Sequence, residues 1–168
     1  MKYEEARQQF ISSWGAFGSQ WGINRTMAQI HALLLISTKP LSQDDVMAEL
    51  QISRGNANMN IRELIDWGLV ERVLISGERK EYFTAEKDIW KVAMQIMKER
   101  KKRELDPMIK LLEQLQDAEG DAKNAEVKQF NTTVGDIHKL AKQADGALNN
   151  VIKTEGHWFF GNLMKLFK

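Results

Sequence analysis

At 168 residues, with 43% apolar and 28% charged side chains, the chain can bury a real core as one domain or as one domain with an extension. The absence of cysteine excludes disulfides, thiolate catalysis, cysteine-ligated zinc and thiol-based peroxide sensing. A net charge of +1 gives no global pull toward nucleic acid, so any DNA binding has to come from a local basic surface.

Two prolines and few strand-like runs predict a mostly α-helical protein. No signal peptide is expected, and no apolar run approaches the roughly 18 residues of a membrane span, so the expectation is a soluble, cytoplasmic protein without a membrane partner.

Residues 2–21 read as a helix in which Phe10, Trp14, Phe17 and Trp21 recur at steps of four, three and four. Gly15, Gly18 and Gly22 interrupt it, and each glycine within a helix costs about 1 kcal/mol. They suggest close approach of another chain or room for a ligand; an ordinary dimer or core stripe is the plainer reading of the aromatics. Asn24 is the cap of a second helix, from Arg25 to about Thr38. His31 within it reads as a packing histidine, since His138 and His157 give no metal-ligand spacing.

Pro40 bars a helix from running through it. Ser42, with Asp45 three residues on, caps a short helix whose apolar side is Val46, Met47 and Leu50. Gln51-Ile52 is a turn. Ser53 caps the next helix and Gly68 ends it after Trp67. Ala57, Ile61, Leu64 and Ile65 give that helix one buried face. The opposite side and flanks carry Arg54, Gly55, Asn56, Asn58, Met59 and Arg62. Asn56, Asn58 and Asn60 are poor helix formers, which argues for selection on something other than helicity. Recognition helices read the major groove with their N-terminal residues, and a bidentate asparagine–adenine contact is one standard means. The plainer reading is a solvated face that tolerates asparagine.

Val70 to Ile75 alternates and is rich in β-branched residues, Ser76-Gly77 turns, and Glu81 to Thr84 returns. Arg79 and Lys80 lie in the loop and Arg72 at its base. A basic hairpin after a helix-turn-helix is a winged helix, whose wing can set an arginine on the phosphates or in the minor groove.

The residues Ile52-Ser53-Arg54-Gly55-Asn56, Trp67-Gly68-Leu69-Val70, and Gly77-Glu78-Arg79-Lys80 through Tyr82-Phe83 carry a specific likeness. Over roughly residues 1–115 the chain resembles the GbsR-type branch of the MarR-like transcriptional regulators. The resemblance implies a dimeric winged-helix DNA-binding protein, often a repressor. Some members of the family respond to small osmoprotectant-type ligands.

After the wing, Glu86 opens a helix with Ile89, Trp90, Ala93, Ile96 and Met97 on one face, running into the basic stretch 98–104. That stretch reads as a phosphate contact or, more plainly, as a solvated face. Asp106 is an N-cap candidate and Pro107 the first residue of a restarted helix to about Asp117. A polar connection, 117–125, precedes a helix in which Val127, Phe130, Val134, Ile137, Ala141, Ala144, Leu148 and Val151 form an a/d seam. The tail 157–168 reads as a segment docked across a dimer, with a membrane-surface helix as the second reading.

No phosphate-binding glycine loop, nucleophile elbow or H-E-x-x-H motif is present, and an enzyme reading has nothing to stand on. No cofactor or metal is expected. The expected organisation is an N-terminal dimerisation helix (1–22), a winged helix-turn-helix (23–85) and a C-terminal helical dimerisation region (86–168). The expected function is a homodimeric, sequence-specific regulator, a repressor on a pseudo-palindromic site in double-stranded DNA. Its contacts would be Ser53, Arg54, Gly55, Asn56 and Asn58 in the groove, Arg62 on the backbone, and Arg79 and Lys80 on the wing. A winged-helix module for protein partners is the alternative. Four of the five tryptophans (Trp14, Trp21, Trp67 and Trp90) lie in the part that carries the resemblance. An effector pocket is therefore expected at Trp14, Phe17, Trp21, Tyr82 and Trp90. Tryptophan faces attract quaternary ammonium groups, and the resemblance suggests the same ligand class. The plainer reading of this cluster is core.

Overall fold

The computed structural model describes residues 1–116, 118–120 and 124–153. The expected docked tail, 157–168, lies outside them. The chain divides into two compact units, Met1–Val92 and Ala93–Lys168.

In the first unit, α1 (Tyr3–Gln20) is followed by α2 (Arg25–Ile36), β1 (Leu41–Ser42), α3 (Gln43–Leu50), α4 (Arg54–Asp66), β2 (Val70–Val73) and β3 (Tyr82–Ala85). The caps fall where the side chains call for them. Asn24 Oδ1 accepts from the amides of Thr26 and Met27 at 2.9 and 3.1 Å. Ser42 and Asp45 form a reciprocal capping box at the start of α3. Ser53 Oγ accepts from Asn56 N at the start of α4. Gly68 takes φ of 68° just past α4, where its amide and that of Leu69 bond the carbonyls of Ile65 and Leu64. Those bonds satisfy carbonyls the helix end would leave orphaned.

The buried face of α1 is Ile11, Gly15 and Gly18, not the aromatic stripe. A Cβ on Gly15 would sit 2.5 Å from Gln29 Cγ, and one on Gly18 would sit 2.6 Å from Ala28 Cβ. These glycines thus serve close packing of α1 on α2 of the same chain, which offsets their cost to the helix. The aromatic stripe lies beside that seam, where Phe10 and Trp14 stack with centroids 5.5 Å apart and Phe17 and Trp21 are exposed. The core proper is made by Ile30, Leu33 and Leu34 of α2, Val46 of α3, and Ile61 and Leu64 of α4, all almost wholly buried.

The wing belongs to a three-stranded antiparallel sheet of order β1-β3-β2. The first hairpin strand is shorter than the alternation suggests and the second is shifted by one residue, with Val70 opposite Ala85 and Val73 opposite Tyr82. The sequence pattern missed β1, where Leu41 pairs with Phe83. Its two residues are too few to show alternation, and only a partner forty residues on makes them a strand.

α5 (Ile89–Arg100) starts later than Glu86. Asp88 accepts from the amides of Trp90 and Lys91 and caps it. Its buried position in the first unit is Val92, while Ile89 and Trp90 remain exposed.

In the second unit a π-helical turn, Lys101–Leu105, leads into α6 (Asp106–Leu115), and α7 (Ala125–Lys153) follows. Asp106 is not an N-cap: its backbone is helical, with φ of −62° and ψ of −44°. Pro107 lacks an N–H and its ring crowds the carbonyl four residues back; the wider turn absorbs both without a break. Three cations of the basic stretch are held by carboxylates. Lys101 bonds Asp106 at 2.7 Å and Asp145 at 2.9 Å, Arg100 pairs with Glu104, and Arg103 pairs with Glu99. Bonding to Asp106 and then Asp145 raises the Lys101 pKa, so this ammonium is committed to the fold.

α6 and α7 run antiparallel. Ile109 and Leu112 pack with Val134 and Ala141, and Leu105 packs against them. The half-buried and buried line on α7 is Val127, Asn131, Val134, His138, Ala141, Asp145 and Leu148, a heptad alternation of four and three. Every second member is polar and partnered. Asn131 exchanges two hydrogen bonds with the backbone of Ala118, His138 meets Gln116 and Glu113, and Asp145 holds Lys101. Of the expected seam, Val127, Val134, Ala141 and Leu148 lie on this line, whereas Phe130, Ile137 and Ala144 are exposed and Val151 is half-buried off the line.

Candidate nucleic-acid interface

α4 is the second helix of the helix-turn-helix. Gln51 turns the chain through the left-handed region, with φ of 53°, and the amide of Ile52 bonds Met47 O. Gln43 Nε2 donates to Arg54 O at 3.0 Å, tying α3 to the first turn of α4.

Burial of Ala57, Ile61 and Leu64 fixes the rotation of α4, and it leaves Ser53, Arg54, Gly55, Asn58 and Arg62 exposed and Asn56 half-buried. A Cβ on Gly55 would meet nothing in the chain, so the backbone there is open to close approach from outside. The asparagines are not equivalent. Asn60 is 3% exposed, and its Nδ2 donates to Asn56 O at 2.8 Å and to Asn56 Oδ1 at 2.7 Å. Arg62 Nε donates to Asn58 Oδ1 at 3.2 Å.

The wing is brought to the same place. Asp44, in the first turn of α3, accepts from Arg54 at 2.8 Å through Oδ1 and from Lys80 at 2.9 Å through Oδ2. One carboxylate thus gathers a recognition-helix cation and a wing cation. The Lys80 contact, followed by the nearby Arg54, lowers the Asp44 pKa, and the same contact raises that of Lys80. Arg79 is exposed on the loop 74–81, and Arg72 pairs with Glu81 across the hairpin base at 3.3 Å. All eight residues expected to touch DNA therefore lie on α4, its cap or the wing.

The aromatic set is more dispersed. Trp14 and Phe17 are on α1, Trp21 is its C-terminal cap, and Trp90 is in the first turn of α5. Phe17, Trp21 and Trp90 keep 55%, 64% and 41% of their surface exposed. Tyr82 pairs with Ser42 and Val73 in the sheet; burial raises its pKa, helped by the charge of Glu78.

Asp44 and Gln43 were not singled out by the sequence pattern, and Asn60 was read there only as a poor helix former. Asn60 carried a signal, since it falls three residues after Ala57 and four before Leu64, on the buried face. Lys87 carried none. Its ammonium donates to the carbonyls of Leu34, Leu35 and Ser37 at 2.6, 2.9 and 2.7 Å and closes the C-terminus of α2. Burial lowers its pKa. Burial, with the Lys87 charge second, also lowers that of His31 to about 4, so this histidine is neutral in the core. Among the described residues no cluster could hold a metal ion, and no helix is long and apolar enough to cross a membrane.

Residues 21–80 match the sequence model of the MarR family. The chain is 26% identical over 113 residues to the HTH-type transcriptional repressor GbsR of Bacillus subtilis, covering 67% of this chain and 62% of that protein. It is 26% identical over 76 residues to the HTH-type transcriptional regulator MmpR5 of Mycobacterium tuberculosis, covering 45% and 46%. The match thus spans about three-fifths of the first relative and under half of the second. A crystal structure of a transcriptional regulator shares the fold, with a TM-score of 0.57 at 18% identity over 86% of this chain and 99% of that one. The chain is therefore similar to MarR-family regulators over residues 21–80, and the longer of the two likenesses is to a repressor of the GbsR type.

Proposed function

We propose that the chain is a sequence-specific DNA-binding transcriptional regulator, a homodimeric repressor acting in the cytoplasm on a pseudo-palindromic operator. The observation that carries this is the convergence of Arg54 and Lys80 on Asp44. It puts the open N-terminal turns of α4 and the wing on one face, as a winged helix needs to engage a groove and its flanking phosphates together. Ser53, Arg54, Gly55, Asn56 and Asn58 are the groove residues in this reading, Arg62 a backbone contact, and Arg79 and Lys80 the wing contacts. The names of the two relatives, a repressor and a regulator, agree with it.

The dimer is supported by apolar surface exposed among the described residues: Phe17 and Trp21 in the first unit, and Met108, Leu111, Leu115, Phe130, Ile137 and Leu140 in the second. In this organisation residues 1–22 and 86–168 supply the dimer contacts and 23–85 the DNA contacts. A two-fold pair of winged helices would read two half-sites. The exposed faces of Phe17, Trp21 and Trp90, with Trp14 and Tyr82, are the candidate seat of a quaternary ammonium effector, which tryptophan fluorescence titrated with choline and glycine betaine tests.

Net charge of +1 and the neutralising Asp44 favour a second reading, a winged-helix module for protein partners. A gel shift with the DNA upstream of the protein's own coding sequence, at two salt concentrations, separates the two. The regulator reading expects a retarded band that weakens with salt and resists random competitor DNA. No band at either salt leaves the protein-partner module.

A further inference from the structure

The amides of α4 have a fixed polarity. Asn56 O is a backbone carbonyl and can only accept, so the Asn60 atom 2.8 Å from it is Nδ2. That nitrogen lies 2.7 Å from the Asn56 side chain, so the atom facing it is the acceptor, Oδ1. Arg62 Nε is likewise donor-only, which makes its Asn58 neighbour Oδ1 as well. Oxygen and nitrogen diverge from Cγ. Turning both oxygens four residues along the helix turns both NH2 groups the other way. Arg54 and Arg62 add exposed donors to α4.

From this we infer that Asn60 is a specificity-determining positioning residue, which locks Asn56 as a hydrogen-bond donor and sets the half-site to guanine at the base pair under Asn56. The inference rests on the DNA-binding reading and sharpens it. Guanine offers N7 and O6, two adjacent acceptors, to the major groove, whereas adenine offers N7 beside the N6 amino donor and cytosine offers its N4 donor. The bidentate adenine contact needs an amide that presents oxygen and nitrogen together. The Asn56 oxygen keeps a second lone pair, but it is turned toward Asn60, a residue only 3% exposed, and that direction is what sets it against the adenine contact. Asn60 need not touch DNA to determine what is read.

The test is selection of the full chain on a random duplex library, with Asn56→Ala marking the base pair that Asn56 reads. The wild type is expected to prefer guanine over adenine there by at least about fivefold, the discrimination of one good base contact. Asn60→Ala, which frees the amide, should flatten that preference while the rest of the selected site persists. Asn60→Asp replaces the donor by an acceptor, so Asn56 turns over and presents oxygen, and preference should move toward adenine or cytosine. Thermal unfolding checks that each variant folds; the wild-type arm decides the base class by itself if neither does. Adenine or cytosine preferred by the wild type at that pair overturns the inference. So does an undiminished guanine preference in a folded Asn60→Ala protein. Enrichment of no sequence by the wild type overturns the DNA-binding reading itself, and the inference with it.

Discussion

The two units bury their apolar residues to different degrees. In residues 1–92, Ile30, Leu33, Leu34, Val46, Ile61 and Leu64 each expose less than 2%. In the second unit the core cluster is Ile109, Leu112, Val134 and Ala141, at 4–8% exposure, and polar pairs flank it on the same seam. The first unit closes on itself. The second has polar residues at three of the seven positions of its α7 seam and leaves Phe130, Ile137 and Leu140 outside. A helix whose apolar residues exceed what its own chain covers is suited to a partner chain, which is the role the proposed dimer gives it.

The largest test of this contrast is a pair of truncations. Leu64→Ala, at a fully buried site of the first unit, should cost about 2–5 kcal/mol in urea unfolding. Leu140→Ala, at a site 67% exposed, should leave the unfolding of a dilute chain within about 0.5 kcal/mol but weaken self-association in sedimentation. A parent that sediments as a monomer at micromolar concentration breaks the comparison, since the exposed line would then have no partner copy.

Acid should act on the first unit through His31. Its pKa falls from 6.5 in the unfolded chain to about 4 in the folded one, so the unfolded state binds the extra proton between those values. Stability is therefore full above pH 6.5 and falls as pH drops toward 4, by on the order of 3 kcal/mol. His31→Leu should remove this part of the acid sensitivity; an unchanged slope of unfolding free energy against pH would contradict the assignment.

A smaller effect is expected at Lys87, whose three bonds close α2. Lys87→Met should lower stability by about 1–2 kcal/mol, the scale of charge-assisted bonds at a helix C-terminus. It should also raise the His31 pKa, because the opposing charge is gone, and a histidine titration followed by NMR reads that shift.

The smallest change concerns the face proposed to meet DNA. Asp44→Asn removes the anion between Arg54 and Lys80, and on the proposed reading random-sequence DNA should bind about three- to tenfold tighter. Weaker binding would mean that Asp44 aligns these cations rather than masking them.

Much of the first unit was legible because its signals are local. Asn24, Ser42 with Asp45, Ser53 and Gly68 mark helix ends by capping chemistry that acts within four residues. Ala57, Ile61 and Leu64 declare a buried face by their spacing. What escaped depends on residues far apart. Strand β1 exists because Phe83 is opposite Leu41, and the Asp44 cluster joins positions 44, 54 and 80. The α7 seam misled for another reason. An apolar search for a/d positions takes Phe130 and Ile137 and passes over Asn131, His138 and Asp145, whose burial is permitted only by partners on the facing segment. At Pro107 the signal for a helix start was sound in type, but the π-helical turn carried the helix past it.

The central claim is that α4 reads bases while the wing holds phosphates. Equilibrium binding of the parent, Asn56→Ala and Arg79→Ala to a selected operator and to a random duplex, over a salt series, tests it most directly. The account predicts that Asn56→Ala loses about 1–3 kcal/mol on the operator and little on random DNA. It predicts that Arg79→Ala weakens both and lowers the salt slope by roughly one. If both variants bind operator and random DNA as the parent does, the claim is contradicted.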